Sequence, residues 1–140
     1  MDTVTQTHIC TESALKAASA ALTHGRALGI SIAVAVVDRG GNTLALLRAN
    51  DAPFHAASIA EDKAYTAVSF GAPTDGLGQA LHGMGPVVFH GLLERSRMAA
   101  FGGGLPLMND DSRVGGIGVS GGTADQDAAC AAAGLKTIAS

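Results

Sequence analysis

Tryptophan is missing from this sequence of 140 residues, tyrosine occurs once and phenylalanine four times, so aromatic bulk is not what fills the core. Cysteine is almost as scarce. Cys10 and Cys130 stand near opposite ends without a Cys-x-x-Cys spacing, which argues against both a zinc ribbon and a disulfide framework. Charge is sparse and balanced, with 9 basic against 12 acidic side chains, a formal −3, and no run of lysine or arginine. Such a chain lacks the field that phosphate backbones require, so no nucleic-acid partner is expected. No apolar run approaches the ~20 residues that span a bilayer. Met1-Asp2-Thr3-Val4-Thr5-Gln6 has neither the basic head nor the apolar stretch of an export signal. The expectation is a cytoplasmic protein with no membrane partner.

Small residues take the place of bulk. The chain holds 19 glycines and 27 alanines, which let backbones approach closely and favour tight helix-on-sheet layers. The length suits one domain, expected over residues 11–140 after an N-terminal extension at 1–10. Only 15% of the residues are charged. The surface of a well-behaved monomer needs about 25–35%, so apolar surface is left to cover and a homo-oligomer is expected.

From Thr11 to Leu28 the apolar positions Ala14, Ala17, Ala18, Ala21, Leu22 and Leu28 share one helical face, and Gly29 supplies a stop. Ile30 to Val37 is apolar on both alternating faces, the pattern of a strand covered from two sides. Asp38-Arg39-Gly40-Gly41 reads as a turn into a second strand, Asn42 to Arg48, making an antiparallel hairpin. Asn50-Asp51-Ala52-Pro53 breaks the chain before a helix from Phe54 or His55 to Phe70, and Thr74 to His82 reads as a short helix. Val87 to Arg95 is ambiguous. Three strands are then expected at Met98–Phe101, Leu105–Met108 and Arg113–Ser120, followed by a helix from about Ala124 that opens on the capping box of Thr123 and Gln126. The order α-β-β-α-(α)-β-β-β-α describes an α+β fold, a five-stranded antiparallel sheet with helices packed on it.

Several residues are candidates for chemistry. Gly116-Ile117-Gly118-Val119-Ser120-Gly121 matches the G-x-G-x-x-G dinucleotide pattern, but about 20 residues remain after it, too few for the ~30-residue βαβ unit that the motif serves. Its glycines instead let a helix, a ligand or a subunit press on the strand, which makes Gly116 and Gly118 candidate ligand contacts. Val119-Ser120-Gly121-Gly122 could form an anion nest before the last helix, although Asp125 and Asp127 favour a plain cap. Lys63 falls between Ile59 and Ala67 inside an apolar helical stripe, where an ammonium needs a negative partner. Asp38, Asp51 or a bound acid could supply it. Of the histidines His8, His24, His55, His82 and His90, none forms a zinc pattern. His24 borders the apolar face of the first helix, and His55 opens the second helix beside Asp51, where it could act as acid or base.

Four segments together resemble a known family. They are Ile32-Ala33-Val34-Ala35-Val36-Val37-Asp38 with Gly41, Leu44 and Arg48; Ala60-x-x-Lys63-Ala64-x-Thr66-Ala67; Gly103-Gly104-Leu105-Pro106-Leu107; and Gly116 to Gly122 with Asp127 and Ala131. Over about Ala14 to Leu135 the chain resembles the GlcG/HbpS-like proteins, small haem-binding or "haem-degrading" domains related to the C-terminal domain of PduO-type proteins. The resemblance implies a profilin-like fold, a symmetric oligomer, and a small-molecule ligand, haem or a related tetrapyrrole. It also implies an axial iron ligand near the end of the first helix, which here is His24. The segment Asn50-Asp51-Ala52-Pro53-Phe54-His55 departs from the family pattern. It suggests an alternative, a small-molecule catabolic enzyme in which His55, Asp51 and Lys63 perform acid–base chemistry while Arg48 and Asp38 help bind a carboxylated or oxygenated substrate.

Overall fold

The computed structural model describes residues 1–139. Helix α1 runs over Thr11–Ala27, strands β1 and β2 over Ala33–Asp38 and Thr43–Arg48, and helix α2 over His55–Phe70. Two short helices follow, α3 at Thr74–His82 and α4 at Pro86–Leu93, then strands β3 at Gly104–Asn109 and β4 at Ser112–Ser120, and helix α5 at Ala124–Lys136. All strand pairs are antiparallel, in the order β2-β1-β4-β3. No helix among the described residues is long and apolar enough to cross a membrane.

The two-residue period of β1 sorts its side chains between two layers. Val34 and Val36 face α1 and α5, where Ala14, Ala17, Ala18, Ala21, Cys130 and Ala131 complete one core with Ile117 and Val119 of β4. Ala33, Ala35 and Val37 face α2, meeting Ala56, Ala60, Ala64 and Val68. A strand covered on both faces has no reason to alternate polar and apolar residues, which is why Ile30 to Val37 reads as one greasy run.

Among the described residues the sheet has four strands rather than five. The expected strand at Met98–Phe101 is an irregular strap because two buried threonines take the place of a strand partner. Thr66 Oγ1 donates to Arg97 O at 2.9 Å and accepts from Ala99 N–H at 3.0 Å. Thr74 Oγ1 donates to Phe101 O at 2.6 Å and accepts from Gly104 N–H at 2.9 Å. The ambiguous stretch after Gly85 forms α4, started by Pro86 in the first turn, where its missing N–H costs nothing.

Gly116 and Gly118 are spoken for by the fold. A Cβ on Gly116 would strike the carbonyl oxygen of Ala64, and one on Gly118 would strike the carbonyl oxygen of Ala60 and the amide nitrogen of Ala64. Of the helix, ligand or subunit expected to press on these glycines, it is the backbone of α2 that lies against them. Replacing Gly118 with alanine should cost about 1–3 kcal/mol through forced separation of helix and strand, measured as a lowered denaturant midpoint. Gly76→Ala on α3, where nothing lies within 4 Å of the added carbon, should leave the midpoint unchanged or slightly raised.

Candidate functional site

Lys63 is the bulkiest of the fully buried side chains, with 1% of its surface exposed. Its Nζ donates to Asp127 Oδ2 at 3.0 Å and to Val119 O at 2.9 Å, tying α2 to α5 and to the end of β4. Asp127 Oδ1 accepts from Gly122 N–H at 2.9 Å. The partner is thus Asp127, not Asp38 or Asp51. The face of Phe101 lies over the ammonium, with Nζ 4.6 Å from the ring centroid, so the remaining N–H is met by π-electron density. Burial pushes the Lys63 pKa down, while the hydrogen bond and charge of Asp127 pull it back up. Gly103, at φ +129, passes so close that a Cβ there would sit 2.9 Å from Nζ. Burial and the Asp127 charge raise the thiol of Cys130, one turn further along α5, to about 11, so it stays protonated and unreactive at neutral pH.

Phe101 faces outward as well. Together with Gly102, Ala100 and Met98 of the strap, with Asp75, Gly78, Gln79 and His82 of α3, and with Phe89 and Leu93 of α4, it lines an open cleft of about 680 Å³. The α3 residues stand at positions i, i+3, i+4 and i+7, one face of the helix. His82 meets Phe89 edge-on, with centroids 5.3 Å apart and planes at 82°. Two of the four phenylalanines in the chain therefore wall this one cavity, whose size is within the usual range of about 300–1,000 Å³ for small-molecule sites.

The residues proposed from sequence are scattered. Asp38 closes the hairpin turn: its Oδ1 accepts from Gly40 N–H at 2.8 Å and Asn42 N–H at 3.0 Å, and Asn42 Nδ2 reaches both carboxylate oxygens. Partial burial works against its ionised form, but these hydrogen bonds outweigh it and lower the pKa. Arg48 Nη1 donates to the carbonyls of Ala49, Asn50 and Ala52, so it orders the β2–α2 loop from inside, with its guanidinium 5.6 Å from the Phe54 ring centroid. Asp51 and His55 are exposed, on that loop and at the start of α2. Lys63 lies eight residues further on, roughly 12 Å along the helix axis, with its amine turned to Asp127. His24 is half-buried in the last turn of α1 and makes no side-chain hydrogen bond among the described residues. None of Asp38, Arg48, Asp51, His55 or His24 lines the α3–α4 cleft.

Two parts of the site escape the sequence reading. Asp127 shares a helical face with Cys130, Ala131 and Gly134, all buried, and that spacing in an alanine-rich helix is the signal that could have marked it as a core carboxylate. His82, Phe89, Met98 and Phe101 come together only because the strap is held in place by Thr66 and Thr74. The potential nest at Val119 to Gly122 is filled internally. Gly122 N–H goes to Asp127, and Thr123 and Gln126 form the expected capping box.

Two helices and a strap thus frame an apolar cleft above a buried ion pair, on an antiparallel sheet flanked by helices. The chain belongs to the HbpS-like family, whose model, described as "Haem degrading protein HbpS-like", matches residues 9–136. It is 35% identical over 115 residues to an uncharacterized 15.0 kDa protein in the dhaT-dhaS intergenic region of Citrobacter freundii, covering 82% of this chain and 81% of that one. Its structure is similar to a double mutant of HbpS from Streptomyces reticuli, with a TM-score of 0.90 and 36% identity over 99% of this chain and 92% of the other. It is likewise similar to PduOC in complex with heme, with a TM-score of 0.85 and 26% identity over 94% and 95% of the two chains.

Lys63→Met should destabilise the fold by about 3–5 kcal/mol, because it strands the Asp127 carboxylate without a cation. The double replacement Lys63→Met with Asp127→Leu should recover most of that loss in a thermal melt. Equal losses in the single and double variants would show that the charges are not paired energetically.

Proposed function

We propose that this chain is an oligomeric small-molecule-binding domain whose ligand is haem or a related tetrapyrrole. The observation that carries the reading is the α3–α4 cleft, about 680 Å³ in volume, with phenylalanine, leucine and methionine walls and an imidazole on its rim. Those groups fit a flat conjugated ring: apolar side chains bury its faces, and histidine is a customary donor to its iron. The likeness to PduOC, a domain with a heme complex, supports the same ligand here. Haem, when bound, would supply an iron centre. The protein's part is to bury the ring and present one nitrogen to it. The family resemblance puts that nitrogen at His24, and the cleft offers His82. Catalysis by His55, Asp51 and Lys63 gains no support from the arrangement, since the Lys63 amine is occupied by Asp127 and Val119. Titration of the purified chain with haemin should sharpen and shift the Soret band to a saturable end point. A spectrum identical to haemin in buffer would overturn the reading.

Self-association is supported by α4. Its sequence Pro86-Val87-Val88-Phe89-His90-Gly91-Leu92-Leu93 is almost wholly apolar, yet none of its residues is buried. Val87 is 85% exposed and Val88 44%, beside Met84 at 59%, an apolar patch of the kind that subunit contacts cover. Sedimentation should show an oligomer at micromolar concentration. Val87→Glu with Val88→Glu should reduce its mass, because burying two carboxylates in a subunit contact is costly.

A further inference from the structure

Independently of the haem reading, we infer that the α3–α4 cleft also takes a ligand of another kind, a neutral hydroxylated aromatic of one or two fused rings that stacks on Phe101 and gives its O–H to His82. Phe101 has a charge on one face and open space on the other. Its inner face receives the Lys63 ammonium 4.6 Å from the centroid, while the half-exposed ring walls the cleft. A cation held against one face draws π-electron density toward itself, so the opposite face is left poorer and stacks best on an electron-rich partner. A phenol-type ring is such a partner. A cationic ligand is not, because the Lys63 charge already acts on the same π system.

The wall made by α3 supplies what a hydroxyl needs. Asp75, Gln79 and His82 line the cleft from one face of the helix, and each offers an acceptor atom to an O–H. From Asp75 to His82 the row covers about 10 Å of helix axis, the length of a two-ring body with its hydroxyl. His82 also meets Phe89 edge-on, a contact between rings rather than a hydrogen bond, which places the imidazole beside the stacked ligand. Among the described residues no lysine or arginine lines the cleft, and Asp75 adds a carboxylate to it. A ring that carries an acid is therefore repelled where a neutral one is not.

The experiment is a fluorescence titration of the intact chain with 2-naphthol at about pH 8, where imidazole is neutral; the chain has no tryptophan to obscure the emission. Saturable binding is expected, about tenfold or more tighter than for 2-naphthoate, which has the same rings and a carboxylate. It should also be about three- to tenfold tighter than for 2-methoxynaphthalene, which keeps an electron-rich ring but has no proton to donate. Phe101→Leu should weaken 2-naphthol about three- to tenfold, the contribution of a stacked ring pair. His82→Leu, at an exposed position, should leave the thermal midpoint unchanged and abolish the preference for 2-naphthol over 2-methoxynaphthalene. Absence of saturable 2-naphthol binding, or equal affinity for 2-naphthol and 2-naphthoate, would overturn the inference. So would binding that survives Phe101→Leu and is lost in Val87→Glu with Val88→Glu, since the ring would then sit on the outer face of α4. None of these outcomes bears on the Soret titration, and a Soret band that fails to shift leaves the 2-naphthol result standing.

Discussion

The ion pair of Lys63 and Asp127 is the contact on which the arrangement turns. A lysine buried to 1% is tolerable only because its ammonium meets a carboxylate, a backbone carbonyl and an aromatic face at once. Each of those partners comes from a different element: α5, the end of β4 and the strap. The charge therefore does more than satisfy itself. It fixes where the last helix starts, since Asp127 also accepts from Gly122 N–H, and it fixes where Phe101 stands as the floor of the cleft.

Around this pair the molecule is built by close approach. Alanines on α1 and α5 and glycines on β4 let helix backbones come down onto the sheet, and Gly103 admits the lysine tip. A core made of such small side chains needs little aromatic bulk, so most of the few aromatic rings are free for surfaces. Phe89 and Phe101 gather at one cleft and Phe54 lies beside Arg48 at the end of β2, all outside the main packing. The same economy explains α4. It is apolar in sequence and unburied in the single chain because the core is already complete without it.

Much of the layered fold was legible in residue order. The double-sided apolar run at β1, the alanine stripes of α1 and α2, the hairpin turn at Asp38 and the capping box at Thr123 are each local patterns with a local cause. The fifth strand failed for a reason that no local pattern carries. Met98–Phe101 reads as extended in sequence, but Thr66 and Thr74, each more than 25 residues away, satisfy its backbone before a strand can. The expected convergence of Arg48, Asp51, His55 and Lys63 failed similarly. Arg48 spends its hydrogen bonds on its own loop, and Lys63 spends its charge on a helix 64 residues later.

The sequence by itself determined most of the elements and the two buried faces of the central strand, because periodicity and turn chemistry act over a few residues, and its motifs carried the resemblance to the family. It also required that Lys63 find an anion, since an unpaired buried ammonium is prohibitively costly. Which anion, and which histidine faces an apolar cavity, were decided only when the sheet brought α2 to α5 and the threonines drew the strap toward α3. Those choices rest on contacts between residues remote along the chain, whose proximity is a property of packed layers rather than of any segment.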